Sequence, residues 1–334
     1  MATLMAQQSL SREAMLQAMD RIVTGAMKPN EIRAFLEQLA KRGETAEEIA
    51  AAVQSLRAHA VRVPLSAPLA LCDTCGTGGD GQGTLNISTL AGLVAAASGV
   101  RIAKHGNRAA SSRCGSADVL KALGVNIEAG PERVAQCLET LGFGFCFAPL
   151  FHPSMSAVAP IRRELGIRTI FNLVGPLANP APLTFQLVGV SEERLMMPMA
   201  RALNALGIRH GMVVHGLDGL DEATTTQDTH VLEIRGGTLQ AYRLHPEEFG
   251  LSRAVLEDLR GGDAEENARI ARDVLSGSSS RKREIVVLNA GCAIYVADHA
   301  HSIHEGMAKA EGALDSGRAR ILLDRLVELT NDSR

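Results

Sequence analysis

The sequence predicts an α/β protein with a small all-α N-terminal domain and a mainly parallel central sheet flanked by helices. Three observations carry the prediction. Apolar residues recur with helical period through roughly the first sixty positions; from Leu69 short apolar runs alternate with helical patterns; and polar, glycine-rich clusters follow those runs. Alternation of this kind argues for parallel strands joined by crossover helices, with ligands taken up at the strand C-terminal ends.

The helical part comes first. Met15, Met19, Ile22 and Ala26, then Ile32, Phe35, Leu36 and Leu39, then Ile49, Val53, Leu56 and Ala60 mark three short amphipathic helices. Ser11 and Asn30 are the expected N-caps of the first two, and Lys41-Arg42-Gly43 is a stop signal. Thr45 with Glu48 forms a capping box that satisfies two orphan amides at the start of the third. Val63-Pro64 closes the helical part, giving domains at 1–67 and 68–334. Strands are expected at 69–73, 100–104, 144–148, 186–190, 211–215 and 285–288, with a helix over 88–98. Residues 152–180 depart from the alternation: Pro153, Pro160, Pro176 and Pro180 read as two proline-broken helices, and 153–180 is expected to pack back on the N-terminal domain. Ser276-Gly277-Ser278-Ser279-Ser280 reads as a surface loop.

A chain of 334 residues exceeds the usual single domain, and 46% hydrophobic residues supply a sizeable core. A net charge of -3, no Trp, 2 Tyr and 8 Phe argue against nucleic acid, for want of attraction and of stacking platforms. There is no basic stretch followed by an apolar run at the start and no membrane-length apolar segment, so a cytoplasmic protein is expected. Six cysteines in so long a chain make no disulfide framework. Cys72 and Cys75 spell C-x-x-C, but without a second pair they read as two unrelated small residues at a strand end.

Three clusters carry chemistry. Gly76-Thr77-Gly78-Gly79-Asp80 permits positive φ and close approach, so successive amides can converge on an anion. Thr84, Asn86, Ser88 and Thr89 follow as donors at the mouth of a helix whose dipole also favours negative charge. Lys104-His105-Gly106-Asn107-Arg108, with Ser111, Ser112 and Ser116 beyond, adds point charge and directional donors. Either loop alone is equally a solvated turn; two such loops after neighbouring strands point to a phosphorylated ligand. Gly76, Gly78 and Gly81 also satisfy G-x-G-x-x-G, but the loop runs on through Gln82-Gly83 and the next strand ends in Lys104-His105, which leaves only an NADP-type reading open. The third cluster is Asp218-Gly219-Leu220-Asp221-Glu222. Carboxylates facing a polyphosphate require a hard divalent cation between them, and Mg²⁺ held by one or two carboxylates plus phosphate is the common arrangement. In isolation this would be a solvated acidic turn. His105, His152 and His215 lie near the site but are read first as structural, and Asp298-His299, His301 and His304-Glu305 form a separate cluster with at most an adventitious metal.

These residues carry a family resemblance. From Ala40-Lys41-Arg42-Gly43-Glu44-Thr45 through GTGGD, KHGNR, GSADVLKALG, HPSM, APIRRELGIRTIFNL, GPLANP and HGLDGLDE to Ser316-Gly317-Arg318-Ala319, the chain resembles the anthranilate phosphoribosyltransferases of tryptophan biosynthesis over nearly its whole length. The resemblance implies a nucleoside phosphorylase/phosphoribosyltransferase-like fold, a homodimer made through the helical domains, and transfer of phosphoribosyl from 5-phosphoribosyl 1-pyrophosphate to anthranilate with Mg²⁺. It implies that Gly76, Gly79, Asp80, Thr84, Asn86, Ser88, Thr89, Lys104, Asn107 and Ser116 face the phosphoribosyl pyrophosphate. Ser88, Asp221 and Glu222 match metal positions; Arg162 matches an anthranilate position, with His105, Gly175, Pro176, Gly76 and Asn107 beside it. A guanidinium suits the anthranilate carboxylate, but Arg163 offers the same group and only the resemblance selects Arg162. Ser154 stands where the family often has Ala, and Ala178 where it often has Thr. Self-association is expected through an exposed apolar position among Met15, Met19, Phe35 and Leu36. Two rival readings are a pyrimidine nucleoside phosphorylase-like enzyme, which would need a further C-terminal domain, and a non-catalytic relative, which should have lost the acidic pair or the glycine loop.

Overall fold

The computed structural model describes residues 9–109 and 112–332. Helices α1 (Arg12–Val23), α2 (Pro29–Arg42) and α3 (Ala46–Ala58) open it. The Ser11 hydroxyl accepts the Ala14 amide at 3.2 Å, as a cap should. Asn30 is not a cap: α2 begins at Pro29, a residue with no amide proton to satisfy, and Glu31 instead accepts the Lys28 amide at 3.0 Å. The Thr45–Glu48 box forms, with bonds of 3.2 and 2.9 Å. Glu48 does more than cap. Fully buried, it also accepts Arg42 Nη2 at 2.6 Å and the Leu10 amide at 2.8 Å, so one carboxylate ties the three helices together.

The α/β part follows as β1 (Leu71–Gly76), α4 (Ile87–Ala97), β2 (Arg101–Gly106), α5 (Ser116–Ala122), α6 (Pro131–Thr140), β3 (Phe143–Phe147) and the single turn α7 (Ala148–Phe151). Then come α8 (Ala159–Leu165), α9 (Ile170–Leu177), β4 (Leu183–Gly189), α10 (Met196–Ala205), β5 (His210–Gly216) and the pair β6 (Thr229–Arg235) and β7 (Thr238–Leu244). Helices α11 (Ala264–Leu275), α12 (Arg281–Val296), α13 (Ile303–Asp315) and α14 (Arg318–Asn331) close the described chain.

One seven-stranded sheet runs β3-β2-β1-β4-β5-β6-β7. Pairing is parallel from β3 to β5 and antiparallel at β6 and β7. The chain winds outward from β1 in one direction and from β4 in the other, so the crevice at the ends of these two strands is the switch point where such sheets bind ligands. One apolar layer, with α4, α11 and α12, covers one face of the sheet. The other face, through Val188 and Val213, shares a single core with α1–α3, α8, α9 and α10, including Val158, Ile161, Ile170 and Val174.

Two expectations about the strands fail. Residues 285–288 are not a strand but lie inside α12, whose buried positions run round every side of the helix. A helix apolar all round has no period to read, and a run of Ile-Val-Val-Leu then looks like a buried strand. The β6–β7 hairpin is absent from the expected strands, although Gly236 and Gly237, at φ 55° and 85°, supply the two positive-φ residues that a tight hairpin turn demands. Cys72 and Cys75 are both free and buried on β1. Three residues apart on a strand they face opposite sides, so they share no chemistry.

Candidate active site

The site sits on the switch point. Beyond Gly76 the chain turns through Gly78, Gly79 and Gly81, all at positive φ. Gly76 itself is fixed by proximity: a Cβ there would lie 2.2 Å from Asp221 Oδ2, and one on Gly189, the last residue of β4, 1.6 Å from the Asp221 carbonyl. The acidic loop after β5 therefore lies directly across the ends of β1 and β4. Two amides of the glycine loop are engaged already, Thr77 on Gly189 O at 3.0 Å and Gly78 on Asp221 Oδ2 at 2.6 Å, so what the loop offers an anion begins at Gly79. Across the cleft the Ser88 amide, in the first turn of α4, donates to Glu222 Oε1 at 3.0 Å. Lys104, only 1% exposed, donates to the Thr74 carbonyl and lies 3.4 Å from Ser88 Oγ. A buried ammonium so held cannot fold away from the site.

Gly76, Gly79, Asp80, Thr84, Asn86, Ser88, Thr89, Lys104, Asn107, Ser116, Asp221 and Glu222 all line one cavity of about 370 Å³. Ser111 lies outside the described residues; Ser112 lines the same cavity. Some of these side chains shape the site more than they face it. Asn86 Nδ2 donates to Cys114 O at 3.1 Å while its Oδ1 receives Asn267 Nδ2 at 3.0 Å, and Thr89 is 1% exposed.

The charges here are out of balance. Burial first, then the Asp80 carboxylate, pushes Asp221 up to about 7, and burial followed by Asp221 holds Glu222 well above the ordinary carboxylate range. A site that resists its own negative charge is suited to a cation. Among the described residues no three of His, Cys, Asp and Glu form a ready-made metal cluster. A hard cation on Asp221 and Glu222 thus needs further oxygens from a ligand, which is how Mg²⁺ is held beside phosphates.

A second cavity, of about 250 Å³, adjoins the first, and His105 and Asn107 line both. Arg162 and Gly175 line it, with Leu56 of the N-terminal helices. Arg162 stacks over Phe171 at 5.5 Å and its Nη2 donates to Asn172 Oδ1 at 3.4 Å, while Arg163 is exposed to solvent. Geometry thus separates two arginines that the sequence could not. Gly76 lines only the first cavity and Pro176 neither. His105 Nδ1 donates to Gly175 O at 3.2 Å, His152 Nε2 to Ala178 O at 2.9 Å and His215 Nδ1 to Val190 O at 2.8 Å. Burial, then His152, pushes His105 down to about 3, so it is neutral.

Sequence reasoning missed Phe171, Asn172 and Asn267. Asn172 carried a signal: it stands three residues after Thr169 and accepts that residue's amide at 3.1 Å, a capping arrangement. The histidine cluster at 298–305 disperses. Asp298 takes Arg209 at 2.9 Å and His210 Nδ1 at 3.1 Å, and His304 Nε2 donates to Glu248 O at 2.7 Å. His304 and Glu305 lie in the first turn of α13, with the rest of the cluster ahead of it.

The family models that match place this helical bundle and its α/β unit in a class of glycosyl transferases. They are the glycosyl transferase family helical bundle domain, over residues 1–60, and the glycosyl transferase family a/b domain, over 69–320. The anthranilate phosphoribosyltransferase of Rubrobacter xylanophilus is 52% identical over 94% of this chain and 92% of its own. In structure, that of Thermus thermophilus superposes with a TM-score of 0.94 at 47% identity, covering 99% of both chains. The Saccharomyces cerevisiae enzyme in complex with PRPP and Mg gives 0.89 at 31% identity, over 96% of this chain and 93% of that one. The chain belongs to the anthranilate phosphoribosyltransferase family.

Proposed function

We propose that this protein transfers the 5-phosphoribosyl group from 5-phosphoribosyl 1-pyrophosphate to the amine of anthranilate, releasing pyrophosphate. The observation that carries the reading is the pair of adjoining cavities meeting at His105 and Asn107: one lined by amides, hydroxyls, an ammonium and carboxylates, the other by a half-buried guanidinium among apolar groups. A pyrophosphate ester fits the first and an aromatic acid the second, which brings the acceptor amine against the anomeric carbon at their junction.

Each residue's task follows. The amides from Gly79 onward, the mouth of α4 with Ser88, and Lys104 receive phosphate oxygens; Asn86 and Thr89 hold that mouth in shape, and Asp80, Thr84 and Ser116 complete the wall. Asp221 and Glu222, with Ser88, would hold Mg²⁺, which when bound supplies positive charge to the departing pyrophosphate. Arg162 pairs with the anthranilate carboxylate, fixed by Asn172 and Phe171. His105, Gly175 and Asn107 place the amine. No dedicated base is required, since an aniline nitrogen sheds its extra proton readily once bonded; catalysis is positioning plus stabilisation of the leaving group.

The same reading divides the chain into a helical unit, 1–67 with 153–180 docked on it, and an α/β unit, 68–334. It makes the protein a cytoplasmic homodimer joined through the helical units; among the described residues no helix is long and apolar enough to cross a membrane. The test is direct. Purified protein with anthranilate, phosphoribosyl pyrophosphate and Mg²⁺ should consume anthranilate fluorescence and release pyrophosphate in equal amounts; no loss at high enzyme concentration overturns the assignment.

A further inference from the structure

The last four carbonyls of a helix have no partner within it. In α9 (Ile170–Leu177) the carbonyls of Gly175, Pro176 and Leu177, and that of Ala178 just beyond, are each met by a side chain from a different part of the fold, Gly175 O taking the Ala178 amide at 3.3 Å as well. His105 Nδ1, at the end of β2, donates to Gly175 O at 3.2 Å, and Gln186 Nε2, in β4, to Pro176 O at 2.7 Å. Arg57, in α3, donates to Leu177 O twice, at 3.0 Å from Nε and 2.6 Å from Nη2, and His152 Nε2 to Ala178 O at 2.9 Å. Arg57 and Gln186 line neither cavity, yet they hold the segment that walls the acceptor cavity through Gly175 and Ala178. A carbonyl can only accept, so the bond to Gly175 puts the His105 proton on Nδ1 and leaves a lone pair on Nε2. That Nε2 is buried and has no hydrogen-bond partner, in a residue lining both cavities. An unsatisfied buried acceptor at this junction is completed by a ligand N–H.

We propose that Arg57 and Gln186 are positioning residues for the acceptor. By fixing the end of α9 they keep Gly175 on His105 Nδ1, so that Nε2 accepts an N–H of the aromatic amine and turns the amine's own lone pair toward the anomeric carbon. The inference rests on the proposed function and deepens it.

Arg57→Met and Gln186→Met remove the donors at similar length, and Arg57→Lys restores one. The expected result is an anthranilate KM raised about tenfold in each Met variant, with Arg57→Lys intermediate and the phosphoribosyl pyrophosphate KM within about twofold of wild type. Equal rises in both constants, or none in folded variants, overturn the proposal. ¹⁵N-histidine NMR of wild type, with His105 assigned by comparison to His105→Asn, reads the tautomer directly even where a Met variant fails to fold. Nδ1–H supports the proposal and Nε2–H overturns it. A wild type that does not turn over anthranilate would instead refute the function, whereas the tautomer result stands apart from it.

Discussion

At the scale of single residues, the acceptor cavity makes a sharp distinction between adjacent arginines. Arg162, half-buried against Phe171, should lose its substrate carboxylate when truncated: Arg162→Ala is expected to raise the anthranilate KM about ten- to a hundredfold, the cost of a charge-assisted contact of roughly 1.5–3 kcal/mol, with little change for phosphoribosyl pyrophosphate. Arg163→Ala, at the surface, should change neither by more than about twofold. Comparable rises in both Michaelis constants for Arg162→Ala would make its role structural. Sequence pattern could not choose between the two, because a two-residue repeat of the same charge at a helix end carries no sign of which side faces a cavity. His105 adds a pH dependence. Its folded value of about 3 lies below the ordinary 6.5, so between those values the unfolded chain binds a proton that the folded chain refuses. Stability is unaffected by this group above pH 6.5 and falls as pH drops toward 3, the loss reaching about 3 kcal/mol by pH 4. Denaturant titrations at pH 7 and pH 4 should therefore show a smaller drop for His105→Asn than for wild type, and an equal drop would contradict the burial argument.

At the scale of elements, what was legible had local cause. The Thr45–Glu48 box, the first-helix cap and the three loops after β1, β2 and β5 each depend on residues close in sequence, and each forms where pattern places it. What was not legible depends on distant partners. Whether Ile285-Val286-Val287-Leu288 is strand or helix is decided by packing on all sides, and the acidic loop, though it falls where pattern places it, is braced from outside by Asn289 in α12, which clasps Ala223 with bonds of 3.0 and 2.7 Å. That frame makes the acidic pair separable from folding. Asp221→Asn with Glu222→Gln keeps shape and removes two charges that burial already disfavours, so the fold should survive while turnover falls by orders of magnitude. Rate measured against Mg²⁺ concentration should be shifted to higher metal; an unshifted dependence with an altered pH profile would mean that the pair moves protons instead.

At the scale of the whole molecule, the helical unit is built into the site and not merely hung beside it. Leu56 lines the acceptor cavity, and α1–α3 share one core with α8–α10 and with Val188 and Val213 of the sheet. That sharing corrects an expectation about assembly. Met15, Met19, Phe35 and Leu36 are at most 2% exposed, so they are committed to the chain's own core and cannot also form a surface between copies. Helical period alone marks an apolar face without saying whether it meets the same chain or another. A charge at any of these four should unfold the helical unit, since an unpaired buried charge is among the costliest single changes. A homodimer made through these helices must use what remains at the surface, and Leu16 on α1, which packs against the edge of the helical core, is only partly buried. Leu16→Glu is accordingly the informative change. Sedimentation at micromolar concentration should show a wild-type dimer and a Leu16→Glu monomer of unaltered circular dichroism. A monomeric wild type would remove the homodimer from the reading and leave the two cavities, each complete within one chain, as they stand.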